Sequence, residues 1–207
     1  KNYRVVPAHE IAKLMGCCKS LALPGFHAFT SCDTVSAFNG CGKKTALECW
    51  STFTEATRAF QHISLPVMMI PDDVAHTFER FVVLMYRGTS DNFTVNQERK
   101  ESFTSKHRSI ESIPPTSAAL TQHVLRAAYQ AGHCWGQALL TNMNMPNLDE
   151  WGWKFLNNDW SPLWTMLPEA SMVCRELLTC GCKKQCAGAC KCVKANLPCT
   201  SLCNCLG

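Results

Sequence analysis

The sequence predicts a mainly α-helical protein that ends in a small, irregular cysteine module. Three observations predict it. Apolar residues recur at three- and four-residue spacing through most of the first 165 positions, the period of a helix with one buried face. Proline, glycine and paired acids fall where helices start and turn. Nine of the 15 cysteines are crowded from Cys174 onward, where no such period exists.

Taken in order, Tyr3 to Val6 reads as a short strand, and Pro7 suits the first turn of a helix running to about Met15. Leu21, Leu23, Phe26 and Phe29 give 19–30 a buried helix with Pro24 near its start. Phe38-Asn39-Gly40-Cys41-Gly42 reads as a turn, followed by helices over 43–51 and 54–62. Asp72 and Asp73 follow Pro71, where a helix N-terminus favours acids, and the helix they open should reach Arg87. Residues 89–115 are polar and weakly periodic, a loop with a short helix near 98–107 that Pro114-Pro115 closes.

A long helix is expected over 116–140, with Leu120, Val124, Ala127, Ala131 and Trp135 on one face. Trp151, Trp153, Trp160 and Trp164 then suggest an aromatic-rich knot packed on the helices. A last helix over 169–178 leads into the cysteines. His27 and His133 lie on apolar helix faces and read as core histidines. These readings divide the chain into residues 1–88, 89–115, 116–173 and 174–207.

With 46% hydrophobic and 17% charged residues, the chain has enough apolar material for a core. Runs such as Phe81 to Tyr86 are far too short to span a bilayer, so no membrane partner is expected. The net charge is +4, compatible with nucleic acid without demanding it. From Cys174 onward, Arg175, Lys183, Lys184, Lys191 and Lys194 stand against one acid, Glu176.

Cys17, Cys18, Cys32, Cys41, Cys49 and Cys134 are dispersed and read as buried free thiols. The rest follow a pattern. From Cys180 they run C-x-C-x3-C-x3-C-x-C-x6-C-x3-C-x-C, ending at Cys205. A C-x-C pair closes too small a ring for a comfortable disulfide, yet it presents two thiolates to one metal or to neighbouring metals. Interspersed lysines favour the thiolate form, and tetrahedral sulfur coordination suits zinc. Three zinc ions need twelve bonds, which nine thiolates supply if three of them bridge. Cys180, Cys182, Cys186, Cys190, Cys192, Cys199, Cys203 and Cys205 are the candidate ligands, with Cys174 as a ninth. A secreted disulfide knot is the rival reading; the odd cysteine count and the dispersed thiols of the apolar part oppose it.

The stretch CGCKKQCAGACKCVKANLPCTSLCNC resembles the CXC domain of tesmin-type and dosage-compensation proteins over Cys180 to Cys205. The resemblance implies a three-zinc, nine-cysteine cluster and association with DNA or chromatin proteins. The family's pattern carries one more cysteine shortly after, so Gly207 reads as a cut, as does Lys1. Ala189 stands where tesmin-type members place a minor-groove aromatic, which leaves protein docking or phosphate contact open beside base reading.

In HAFTSCDTVSAFNGCGKKTALECW, Gly40-x-Gly42 sits at the mouth of a helix opened by Lys43 and Lys44. Glycines allow close backbone approach, a helix N-terminus offers free N–H groups, and lysines add charge, so the segment could hold a phosphate. A plain helical corner has the same spacing. The order Cys-Asp, then Gly-x-Gly-Lys-Lys-x-Ala, is similar to the C-terminal half of flap-endonuclease, PIN-like nucleases. There a Gly-x-Asp-Tyr motif precedes a helix-hairpin-helix. The resemblance implies that Asp33 is a Mg²⁺ ligand and that Gly40, Gly42, Lys43 and Lys44 grip a DNA backbone. Ser31 replaces the family's glycine and Thr34 its aromatic. On this reading residues 1–88 are the helical C-terminal portion of a PIN-like domain, and the other carboxylates lie outside the chain. These 207 residues alone are then inactive. The alternative is a non-catalytic scaffold with a degenerate nuclease-like core. Both place the protein inside the cell, in the nucleus, and the whole resembles proteins of mobile-element origin.

Overall fold

The computed structural model describes residues 5–104 and 112–165 and, further on, 180–182, 186, 190–194, 199, 203 and 205. The chain divides into two compact units, Lys1–Met166 and Leu167–Gly207. The first is mainly helical, as the apolar periodicity predicts, and the second carries the cysteine cluster. The expected helix over 169–178 and Cys174 lie outside the described residues.

Helix α1 spans Ala8–Phe29 but breaks at Gly16, where φ is +77°, so two helices meet end to end. Pro24 therefore falls inside the second of them rather than near its start. The buried face is Ala22, Gly25, Phe26, Ala28 and Phe29; Leu21 and Leu23 face solvent. His27, expected in the core, is exposed on that outward face. Helix α2 (Lys43–Thr52), α3 (Ala56–Ile63) and α4 (Asp72–Tyr86) follow close to their predicted limits.

The core is aromatic. Phe29 stacks on Phe78 at 4.6 Å and lies edge-on to Phe60, Phe81 and His123 at 5.7, 5.9 and 5.1 Å. Phe26 stacks on Trp50 at 4.7 Å. Such pairs add to the area term of burial. Helix α1 approaches α3 closely because Gly25 has no side chain, and its N–H donates to Ser64 Oγ at 2.8 Å.

The polar segment 89–115 contains a full helix, α5 (Val95–Thr104). Its weak periodicity hides how it is held. Val95 is buried, and the fully buried Glu98 carboxylate accepts from Ser90 (2.5 Å), Asn92 (3.0 Å) and Ser102 (3.0 Å), with Arg87 at 3.4 Å. Burial works against its ionisation, but these donors together hold its pKa below the ordinary glutamate value.

The expected long helix over 116–140 is shorter. Thr116 caps α6 (Ser117–Ala128) by accepting from the Ala119 N–H, and the α-helix then widens into a π-helix over Tyr129–Trp135. Packing explains the change. A methyl group on Gly132 would run into the Leu65 carbonyl, so backbone presses on backbone here, and the wider turn accommodates it. His133 is buried, as expected, with Nε2 2.9 Å from the Val67 carbonyl.

The tryptophan-rich stretch is a hairpin. A 3₁₀ turn over Leu148–Trp151 leads into β1 (Trp153–Leu156), paired antiparallel with β2 (Asp159–Pro162). Asn157 and Asn158 make the two-residue turn at φ +53° and +62°, the left-handed pair a tight hairpin requires. Of the four tryptophans only Trp151 is buried; Trp164 is exposed, and Trp160 pairs with Phe155 at 5.2 Å. Of the dispersed cysteines only Cys49 is buried, while Cys17 and Cys18, beside the Gly16 break, are exposed.

Candidate functional site

In the C-terminal unit, Cys180, Cys190, Cys192 and Cys203 are buried, and Cys182, Cys186, Cys199 and Cys205 pack against them. No aliphatic side chain contributes to this core among the described residues. The Sγ atoms of Cys180 lie 3.7 Å from Cys186, 3.9 Å from Cys199 and 3.6 Å from Cys205. Cys186 and Cys199 are 3.4 Å apart, and Cys192 and Cys203 3.8 Å. A disulfide would need about 2.05 Å, and every described cysteine is free. A tetrahedron of sulfurs on bonds of about 2.3 Å has edges of about 3.8 Å. The spacing is compatible with sulfurs gathered around a metal ion.

Three quartets could each hold a metal ion: Cys180, Cys182, Cys186 and Cys190; Cys180, Cys190, Cys192 and Cys199; Cys180, Cys199, Cys203 and Cys205. Together they use all eight cysteines of the C-x-C pattern. Cys180 belongs to all three, and Cys190 and Cys199 to two each.

Local backbone aims these thiols. A short helix, α7 (Lys191–Lys194), starts directly after Cys190, and the Val193 N–H donates to the Cys190 sulfur. That hydrogen bond leads in lowering the Cys190 pKa to about 6. The Cys180 N–H donates to Cys203 Sγ at 3.4 Å. Burial, then the neighbouring Cys203 thiol, pushes Cys192 up to about 12. Crowded thiols resist ionising together, and a cation among them reverses that preference.

In the helical unit, the predicted hairpin residues sit between α1 and α2. Two tight turns connect the helices, bridged at Cys32–Val35 and Phe38–Cys41, with Gly40 at φ +74°. Val35 and Phe38 point into the core and fix the segment. His123 of α6 staples it from below, with Nδ1 2.7 Å from Ser36 Oγ and Nε2 2.8 Å from the Phe29 carbonyl. The carbonyl assigns the proton to Nε2, so Nδ1 accepts from the serine. Burial drives the His123 pKa down to about 4.

Lys43 does not reach outward. Its ammonium donates to the His27 carbonyl (3.0 Å), Thr30 Oγ1 (3.0 Å) and the Ser31 carbonyl (2.7 Å), closing the C-terminus of α1. Lys44 is exposed. Gly42 is the N-cap of α2, with no side-chain cap and no acid in the first turn. A side chain on Gly40 or Gly42 would meet nothing within 4 Å. The helix start is therefore open to a close-approaching anion.

Asp33 is exposed in a cavity of about 450 Å³ lined also by His27, Cys32, Thr34, Lys43, Gln130 and Trp135. Among the described residues it is the only carboxylate in that lining. Burial first, then Lys43, holds His27 below its ordinary pKa against the opposing effect of Asp33. Gly40 lines a separate hollow with Asn39, Cys41, Thr45, Met85 and Tyr86. Asp33 and Lys43 therefore share one cavity, and Gly40 faces another. Sequence reasoning missed Gln130 and Trp135 as lining residues; both reach the cavity from the π-helix.

The chain matches no protein-family model, no curated protein and no solved structure. Function must be read from the sites themselves. No helix among the described residues is long and apolar enough to cross a membrane.

Proposed function

We propose that the C-terminal unit is a structural zinc–thiolate cluster of CXC type, and that the chain is a zinc-binding, nucleic-acid-associated protein of the nucleus. The sulfur spacing carries the reading: separations of 3.4–3.9 Å are those of shared tetrahedra, not of disulfides. All-thiolate donors favour zinc over harder cations. Sets of four sulfurs leave no open position, so the metal's contribution is to hold the fold.

The quartets count out as twelve bonds only if Cys180 binds three metals, where a thiolate ordinarily bridges two. A ninth thiolate relieves Cys180, and Cys174 is the candidate within this chain. Elemental analysis of reduced, purified protein should return three zinc ions per chain. Metal-free, folded protein with disulfides in this unit would overturn the assignment.

DNA is the expected nucleic acid, with chromatin proteins as further partners. The uncapped start of α2 beside Gly40 and Gly42 supports contact with a phosphate backbone. Ser31 supports the PIN-like resemblance from another side. It holds φ +92°, a conformation natural to the glycine that the resembled motif has there. Asp33 then supplies one Mg²⁺ ligand of a metal-dependent nuclease whose other carboxylates lie outside these residues.

One observation favours the scaffold reading instead: a single carboxylate lines the Asp33 cavity, and two-metal chemistry needs several. The two readings part on one assay. A longer chain bearing the missing carboxylates cleaves flap DNA, and Asp33→Asn abolishes cleavage; a scaffold binds without cleaving. Lys44→Ala is the clean binding probe, since Lys43 is engaged within the fold. Fluorescence anisotropy should show weaker DNA binding in Lys44→Ala and a fall with salt for the parent protein.

A further inference from the structure

A cavity of about 400 Å³ lies against α4, on the side of Leu120 and Trp151. Its lining combines apolar surface, from Met68, Met69, Ile70, Leu120 and Val124, with three carboxylates: Asp72, Glu79 and Glu150. No lysine or arginine among the described residues lines it. Glu79 is half-buried; its Oε2 is shut off from solvent, and no donor among the described residues reaches that atom.

The same fold shows how a buried carboxylate is ordinarily satisfied. Glu98, on the next helix α5, has three hydrogen-bond donors and an arginine around it. Glu79 Oε2 has none, though leaving a carboxylate oxygen buried and unpaired is among the costlier defects a fold can carry. Asp72 and Glu79 lie on one face of α4, two turns apart, which is about 10 Å at 1.5 Å per residue. Met68 and Met69 stand exposed beside them, flexible and apolar. A bare metal ion does not fit, because among the described residues these carboxylates and His76 do not converge as a ligand set.

We propose that this cavity binds an aliphatic diamine or polyamine. One ammonium pairs with Glu79 in the interior, a second with Asp72 or Glu150, and the methylene chain lies on the Met68, Leu120 and Val124 surface. Each ingredient answers one feature of the site: charge to the carboxylates, length to their separation, and methylenes to the apolar wall. The site lies wholly within the helical unit and does not depend on the zinc assignment.

Calorimetric titration of the full, zinc-loaded and nucleic-acid-free chain tests it, with 1,6-diaminohexane and spermidine as the amines and 1,6-hexanediol as the neutral analogue. The amines should bind saturably and at least tenfold more tightly than the diol. Glu79→Gln should cut amine affinity at least tenfold while its melting temperature stays level or rises, since the change removes a carboxylate oxygen that has no partner among the described residues. Amine binding equal to that of the diol, or unchanged in Glu79→Gln, overturns the proposal. So does a lysine-bearing peptide that binds where the free amines do not, which would assign the site to a partner polypeptide.

Discussion

Phe29 and Cys180 each stand at the centre of their unit, and their surroundings share nothing. Phe29 is ringed by Phe38, Phe60, Phe78, Phe81 and His123, and its unit is closed by aromatic surface. Cys180 is ringed by thiols. The first unit can bury a core because its helices supply apolar faces. The described core of the second holds thiols alone, and a module without an apolar core ordinarily needs a metal or disulfides. Each unit should therefore fail under a treatment that spares the other.

The largest effect should come from chelation. On the proposed zinc reading, stripping metal from the cysteine unit removes on the order of 10 kcal/mol of binding free energy that doubles as folding free energy. Proteolysis of the C-terminal unit should follow at once, with the far-ultraviolet helix signal of the first unit retained. Loss of that signal on chelation would break the comparison.

Phe29→Ala is the converse. It should destabilise the helical unit by about 3–5 kcal/mol, read by denaturant melts, with bound zinc unchanged.

A third test uses acid. His123 is neutral in the fold, with its pKa pushed down to about 4, against an ordinary value of 6.5. Its contribution is fully present above pH 6.5, where neither state is protonated, and drains away as pH falls toward 4. The loss over that window should be about 3 kcal/mol, and His123→Gln should flatten the profile. The smallest effect is a gain. Ser31→Gly relieves a left-handed conformation and should raise stability by about 1 kcal/mol in thermal melts.

The helices of the first unit were legible because their apolar faces are continuous and their starts are marked, as at Asp72 and Thr116. Three features were not. The π-helix over Tyr129–Trp135 arises from contact with Leu65, some seventy residues away, which no local period records. Helix α5 depends on burying a glutamate, which reads in sequence as a sign of exposure. The hairpin was signalled by Asn157-Asn158, but four tryptophans drew attention from the turn. At the cysteine module, spacing named the thiols that the fold gathers into quartets able to hold a metal. At the hairpin, sequence put Lys43 with Lys44 as one charged pair, yet the fold turns Lys43 back onto α1.

Membership of Cys180 in all three quartets carries a consequence for assembly. Metal uptake through a shared ligand is cooperative: the first ion places sulfurs for the next, so intermediate stoichiometries are sparsely populated. On the proposed zinc reading Cys180→Ser then weakens more than one metal position, whereas Cys182→Ser, Cys192→Ser or Cys203→Ser vacates a single corner. On the same reading, sensitivity to oxidation is pooled in the same way, since loss of one bridging sulfur disturbs every ion it joins.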